Sequence, residues 1–460
     1  LNSDVVVLGG GNAALCAAIA ASDEGARVVL LERAPRAMRG GNTRHTRDIR
    51  HTHGEPDEFS TGVYGDDEFM EDLLQVTGGA TDRNLASLTI RESRTLPEWM
   101  ARRGVLWQKA LRGTLHLSRT NRFFLGGGKA LVNAYYDTAE RLGVEVLYDA
   151  TARDLAFQDG QVSDVIVDVA GVSQELRCRA AVVATGGFEA NIPWLKRYWG
   201  DAADHFIIRG TPYNDGVALA ALYERDAKPV GDPRGFHAVA VDARAPRFDG
   251  GIVTRLDAIP FGIVVNRFAK RFYDEGEDLW PKRYAIWGGL IAQQPDQVAY
   301  AVFDAKVKGK FIPTLYPPIA ADSLAALAAA ADLDAGALVA TVAEYNSATR
   351  PGTFEPGELD NCATSGITPS KSHWALPIDT PPYYCYPARP GITFTYLGVG
   401  VDERARVLHN DGTPFANLYA AGECMAGNIL GRGYLAGFGL TIGSVFGRIA
   451  GKEAGRSARA

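Results

Sequence analysis

Four apolar residues, Val5-Val6-Val7-Leu8, run straight into three glycines and then into Asn12-Ala13-Ala14-Leu15-Cys16-Ala17-Ala18-Ile19-Ala20-Ala21. An unbroken apolar run predicts a strand buried on both faces, and the small-residue stretch predicts a helix lying close to it. A second run, Val28-Val29-Leu30-Leu31, predicts a neighbouring strand and ends at Glu32. The same signature returns later. Ala180-Ala181-Val182-Val183 leads into Ala184-Thr185-Gly186-Gly187, and Leu418-Tyr419-Ala420-Ala421 leads into Gly422-Glu423, a Gly-rich loop and a helix over 438–452. Gly126-Gly127-Gly128 opens a helix over 130–142 with apolar Leu131, Val132, Tyr135, Ala139 and Leu142, and a strand follows at 144–148. Residues 151–178 alternate, predicting an antiparallel meander that turns at Asp159-Gly160. Residues 236–390 read differently, with a β-like Ile263-Val264-Val265, a Pro-rich stretch, an Ala-rich helix near 324–331 and no glycine turn of the first kind. Residues 351–382 read as a long loop. The fold class is therefore α/β: a Rossmann-like domain in two pieces, 1–235 and 393–460, with an α+β domain inserted at 236–392.

Composition narrows the chemistry. The chain has 460 residues, 46% hydrophobic and 22% charged, with a net charge of −6. That balance suits a soluble globular protein and does not suggest nucleic acid as a partner. No run of residues is long and uncharged enough for a transmembrane segment, and no signal peptide is read at the start of the sequence. Cys16, Cys178, Cys362, Cys385 and Cys424 are odd in number and lack C-x-x-C spacing. They argue against a disulfide framework or metal site and fit a reducing cytoplasm. The eight histidines are dispersed, with His45, His51 and His53 in a polar stretch, so no metal is expected.

The opening segment is a strand–turn–helix–strand–acid unit of the kind that binds a dinucleotide. Gly9 permits the tight turn, Gly11 lets backbone approach a pyrophosphate, and Ala14 lets the helix lie against the sheet. The N–H groups at the helix start, near Asn12 and Ala13, favour phosphate. Glu32, with Arg33 beside it, is placed to accept from a ribose hydroxyl.

Taken in order, Gly9-x-Gly11-x-x-Ala14, Glu32, Gly40-Gly41-Asn42-Thr43, Ala184-Thr185-Gly186-Gly187, Asp215-Gly216, Ala420-Ala421-Gly422-Glu423 and Phe446-Gly447-Arg448-Ile449-Ala450-Gly451 span the whole chain. This set resembles the flavoprotein superfamily of soluble fumarate reductases and succinate dehydrogenase flavoprotein subunits. A closer likeness, to the FAD-dependent tricarballylate dehydrogenase branch, rests on Gly41-Asn42-Thr43-Arg44-His45, Thr254-Arg255-Leu256-Asp257-Ala258, Phe272-Tyr273-Asp274-Glu275-Gly276, Gln294-Pro295 and Gly427 through Gly439. The chain also looks like the flavoprotein half of one type of precorrin-3B synthase. The resemblance implies FAD, a clamp domain closing over it, and a separate electron-transfer partner. It carries Gly40, Gly41, Asn42, Thr43, Arg44, Thr185, Gly186, Gly187, Asp215, Gly422, Glu423, Gly439 and Leu440 into the cofactor site, with Glu423 at the ribityl chain. Some relatives attach FAD through a histidine in this region. That position is Asn42 here, so the FAD is expected to be non-covalent.

The same likeness implies a small anionic substrate gripped by arginine, whose planar fork pairs with carboxylates. His237 falls where the superfamily places a carboxylate-binding histidine. Arg255 follows Thr254 where fumarate reductases have Glu, an added cation suited to an added carboxylate; a salt bridge to Asp257 is its other reading. Arg283 lies beyond the segment that precedes the proton-donating arginine of fumarate reductases, with Tyr284 and Lys282 as competitors for that role. Arg432 and Tyr434 occupy a Gly-rich loop where the family has an arginine that grips substrate. Tyr396 stands near a missing family histidine as a possible acid/base. The expected reaction is oxidation of a small polycarboxylate, tricarballylate to cis-aconitate in type, by hydride transfer to flavin N5 with removal of the vicinal proton. The alternatives are ene reduction, a steroid-like or corrinoid substrate in an apolar cavity, and a flavin-bound subunit serving assembly.

Overall fold

A computed structural model describes residues 3–110 and 117–459. Its first sheet is built from the apolar runs. Val5–Leu8 is central, flanked in parallel by Val28–Leu31 and Ala180–Val183, with Glu145–Leu147 outside the former and Pro414–Ala420 outside the latter. Arg406–Leu408 adds an antiparallel edge. Every residue of the three inner strands is buried, as continuous apolar runs require. The helices Asn12–Asp23 and Phe438–Ser457 pack against each other beside this sheet. Their contact depends on missing side chains. A Cβ on Gly447 would lie 2.4 Å from the Ala13 carbonyl, and one on Gly451 2.1 Å from that of Ala17.

The meander forms as a separate three-stranded antiparallel sheet, Ala150–Gln158, Gln161–Val169 and Val172–Arg177. Its first turn places Asp159 and Gly160 at φ 53° and 76°, the pair of positive angles that a two-residue hairpin favours.

The second lobe is organised by one long strand, Tyr383–Thr395, which pairs with Phe236–Asp242, Ala299–Asp304 and Ile319–Ala321 antiparallel and with Ile207–Ile208 in parallel. Ile263–Asn266 completes the sheet. The sheet therefore reaches outside the expected 236–392 segment at both ends, taking 207–208 from the first piece and running on to 395. The Ala-rich helix spans Leu324–Ala330, and a second, Ala335–Ala348, follows it where none was expected. No helix or strand lies between Ala348 and Tyr383. Among the described residues no helix is long and apolar enough to cross a membrane.

Candidate active site

One continuous cavity runs from the glycine turn of the first sheet to the inner face of the second lobe. At the first end Gly9, at φ 113°, makes the turn; a Cβ there would stand 2.3 Å from the Ala184 carbonyl. Gly11 caps the helix Asn12–Asp23 with no side chain of its own and no acid stands in the first turn, so the N–H groups beyond Asn12 and the positive dipole are left for a ligand. Thr43 Oγ1 accepts from the Asn12 N–H at 2.9 Å, tying the next loop to that turn. Glu32 is buried on the wall. Its carboxylate accepts from the backbone of Ala34 and of Gly40, each at 2.8 Å, and burial raises its pKa. The Tyr136 hydroxyl also lies 3.3 Å from Oε2, while Oε1, which accepts from Ala34 N, keeps a lone pair for a hydroxyl. Arg33 pairs with Asp215 across the cavity mouth, and both line it.

The middle of the cavity is walled by Gly41, Asn42, Thr43, Thr185, Gly186, Gly422, Glu423, Gly439 and Leu440. Asn42 is fully engaged there. Its Nδ2 donates to Glu189 Oε1 (2.6 Å) and the Thr393 carbonyl (2.7 Å), and its Oδ1 accepts from Thr211 N (2.8 Å). Glu423 accepts from Thr395 N at 2.7 Å and hydrogen-bonds Glu189. Burial and the Glu189 charge hold the Glu423 carboxyl well above the usual range, so this buried pair keeps a proton between them. Thr185 Oγ1 is buried with no partner. An uncapped helix start, a glycine cradle, a ribose-type acid and an orphaned hydroxyl along one cavity fit a dinucleotide.

At the far end Arg47, Arg209, Arg255, His237, Tyr284 and Tyr434 converge. Arg209 is carried in by the short strand Ile207–Ile208. Its Nε donates to Thr393 Oγ1 at 2.7 Å, while its Nη1 is buried without a partner. Burial, then the Arg255 charge, lowers its pKa to about 10. Arg255 is buried and already paired: Nη2 donates to Asp257 Oδ2 and Nε lies near Oδ1, both at 2.8 Å. Arg47 lies 3.4 Å from Asp48 and over the Phe123 ring, with Arg255 and Asp257 also in its field. The His237 ring packs, tilted, with its centre 3.9 Å from that of Tyr434, and its Nε2 lies 3.4 Å from the Tyr284 hydroxyl. Burial, reinforced by Arg209 and Arg255, pushes its pKa well below 6.5, so the imidazole is neutral. Tyr434 accepts from Gly439 N at 2.9 Å.

Several expected residues lie elsewhere. Arg432 turns away, its Nε donating to the Thr77 carbonyl at the end of the helix Asp66–Thr77, where a cation is favoured. Arg283 pairs with Glu277 and is not on the wall. Tyr396 is spent on the Gly433 carbonyl behind the wall. Thr254 is buried and donates to its own turn at Gly251 (2.9 Å). Arg44 donates to the Met38 carbonyl (3.0 Å) rather than facing the cavity. Gly40 and Gly187 stand behind the wall, Gly40 serving Glu32 and Gly187 making room for Thr395 and Glu423. Ala14 faces the core. Sequence reasoning missed Arg47, Asp48, Arg209 and Glu189. Arg209 alone left a signal: an arginine between an apolar pair and a glycine, at the carboxyl end of a strand, where α/β sites form.

A parallel sheet with a nucleotide cradle, and a second lobe lining the same cavity with arginine, is the plan of a dinucleotide-binding flavoprotein. The family model described as FAD binding domain matches residues 4–440, and the chain belongs to that family. FAD is its cofactor. The chain is 28% identical over 477 residues to the NADH:fumarate oxidoreductase of Klebsiella pneumoniae, covering 99% of this chain and 48% of that one. It is 28% identical over 379 residues to the 3-oxosteroid 1-dehydrogenase of Mycobacterium tuberculosis, covering 74% and 65%. The open conformation of a flavocytochrome c3 fumarate reductase superposes with a TM-score of 0.78 at 22% identity, over 100% of this chain and 79% of that chain. The chain spans about half the length of the first curated relatives it matches.

Proposed function

We propose that the protein is an FAD-dependent oxidoreductase acting on a carbon–carbon bond beside carboxylates, with a tricarballylate-type acid oxidised to its alkene acid. The observation that carries this reading is the Arg209 guanidinium, buried beside Arg255 and Arg47 with Nη1 unpartnered. A buried cation left without an anion costs several kcal/mol, on the order of the penalty for breaking a buried pair; a bound carboxylate supplies the missing partner. Arg209 and Arg47 grip carboxylates, and the paired Arg255 adds to the positive field that favours enolate-like charge in the transition state. His237, neutral, offers a hydrogen bond without a further charge. When bound, FAD supplies the hydride acceptor. Glu32, the helix start and the Asn42–Glu189–Glu423 group hold it, with Asn42 leaving it unattached covalently. A separate electron carrier reoxidises it, in a cytoplasmic setting.

Anaerobic titration of the FAD-loaded protein with tricarballylate tests the reading. Bleaching of the flavin supports it; bleaching by a 3-oxosteroid and not by the acid sinks it. A second reading, ene reduction of an unsaturated acid in the same cavity, is favoured by the neutral phenol of Tyr284 on the wall, ready to give a proton, and by the Klebsiella relative's name. It predicts reoxidation of the reduced protein by cis-aconitate faster than bleaching by tricarballylate.

A further inference from the structure

We infer that Tyr284, and not Arg283, carries the proton exchanged with the substrate carbon, and that Arg255 and Asp257 position and tune it. The inference rests on the polycarboxylate reading above. Tyr284 is 5% exposed and lies on the cavity wall, while its neighbour Arg283 points to Glu277. Its hydroxyl stands 3.4 Å from His237 Nε2. The Arg255 guanidinium carbon sits 4.8 Å from the centre of its ring, within range of a cation–π contact. Asp257 fixes that arrangement from both sides. It accepts from Arg255 at 2.8 Å and from Trp280 Nε1 at 2.6 Å, and Trp280 begins the helical turn that ends at Tyr284. An arginine whose charge is already met by a buried carboxylate is a poor grip for substrate but a stable cation beside a phenol.

Burial keeps the phenol up at about 12, with Arg255 and then Arg209 working against that rise, so Tyr284 is protonated at neutral pH. In the reducing direction the Tyr284 O–H bond breaks as a C–H bond forms on one alkene carbon; reduced FAD, when bound, would supply the hydride for the other carbon. The phenolate left behind lies beside the Arg255 cation and the His237 ring and is reprotonated from water. In the oxidising direction the Tyr284 phenol first gives its proton to water, and the phenolate then takes the vicinal proton from the substrate carbon; FAD, when bound, would be the acceptor for the hydride that leaves the other carbon.

FAD-loaded Tyr284→Phe and Arg283→Lys are compared with the wild type in three measurements. These are flavin bleaching by tricarballylate, binding of cis-aconitate seen as a shift in the flavin spectrum, and deuterium uptake into tricarballylate from D2O. Tyr284→Phe is expected to keep FAD and bind cis-aconitate within about threefold, to bleach about 10²–10⁴-fold more slowly, and to lose deuterium uptake. Arg283→Lys is expected to stay within about threefold of wild type throughout. Bleaching by Tyr284→Phe within tenfold of wild type, or loss of cis-aconitate binding in proportion to rate, overturns the assignment alone. So does a large loss in Arg283→Lys. A wild-type protein that neither binds cis-aconitate nor bleaches overturns the polycarboxylate reading and this inference with it.

Discussion

Single side chains separate the two ends of the cavity. Arg209→Met removes the unpartnered guanidinium while keeping its bulk, and binding of cis-aconitate is expected to weaken about 10–100-fold, the worth of a charge-assisted hydrogen bond. FAD affinity should not change; a matching loss of flavin would place Arg209 at the cofactor instead. Glu32→Ala should do the reverse, lowering FAD affinity about tenfold or more in a fluorescence titration, since it also strands the N–H groups of Ala34 and Gly40. Glu32 and Gly9 were legible in the sequence because everything that defines them lies within one strand–turn–helix unit. Arg209 was not, because its partners arrive from residues 393 and 255. Arg432 misled for the converse reason. Its place in the Gly-rich loop is as a cavity residue would have it, but the carbonyl it meets ends a helix some 350 positions earlier in the chain.

Among elements, the paired helices that set the glycine turn are the tightest junction. Gly451→Ala puts a methyl group against backbone, which cannot yield as a side chain would, and should cost at least about 1–3 kcal/mol in denaturant unfolding. Gly289→Ala, in the helix Trp287–Ala292 with open space around its Cβ, should instead stabilise by roughly 0.5–1 kcal/mol. Similar effects in both would show that helix propensity, not close approach, governs the first site. Each helix of the pair was predicted from its own run of residues, though not their contact with each other. The strand Tyr383–Thr395 could not, since Pro387, Pro390 and Gly391 lie within it and each weakens a strand assignment. It persists because neighbours cover both of its edges, with Pro387 opposite Tyr300 and Pro390 opposite Ala240.

For the whole molecule, acid is the sensitive direction. Burial holds His51 down at about 3, while in the unfolded chain it titrates near 6.5. The unfolded state therefore binds the extra proton between those values. The contribution of this group to stability is greatest above about pH 6.5 and falls as pH drops toward 3, by up to about 1.4 kcal/mol per pH unit. Unfolding free energies at pH 7 and pH 5 should differ less in His51→Gln than in wild type. Glu32 and Glu423, raised by burial, act with the opposite sign, so the difference between the two proteins isolates the histidine. The strands of the first sheet were visible in the sequence as an apolar, glycine-punctuated pattern, and the change of pattern over 236–390 falls where most strands of the second sheet lie. The meeting of the lobes was not visible. The Ile207–Ile208 strand lies parallel to Gly391-Ile392, and the residues that follow each, Arg209 and Thr393, touch. Because Ile208 and Ile392 share one ladder, any change that loosened that short pairing would carry Arg209 and its Thr393 anchor off together, so the anion end of the cavity is set by strand register rather than by a loop free to settle.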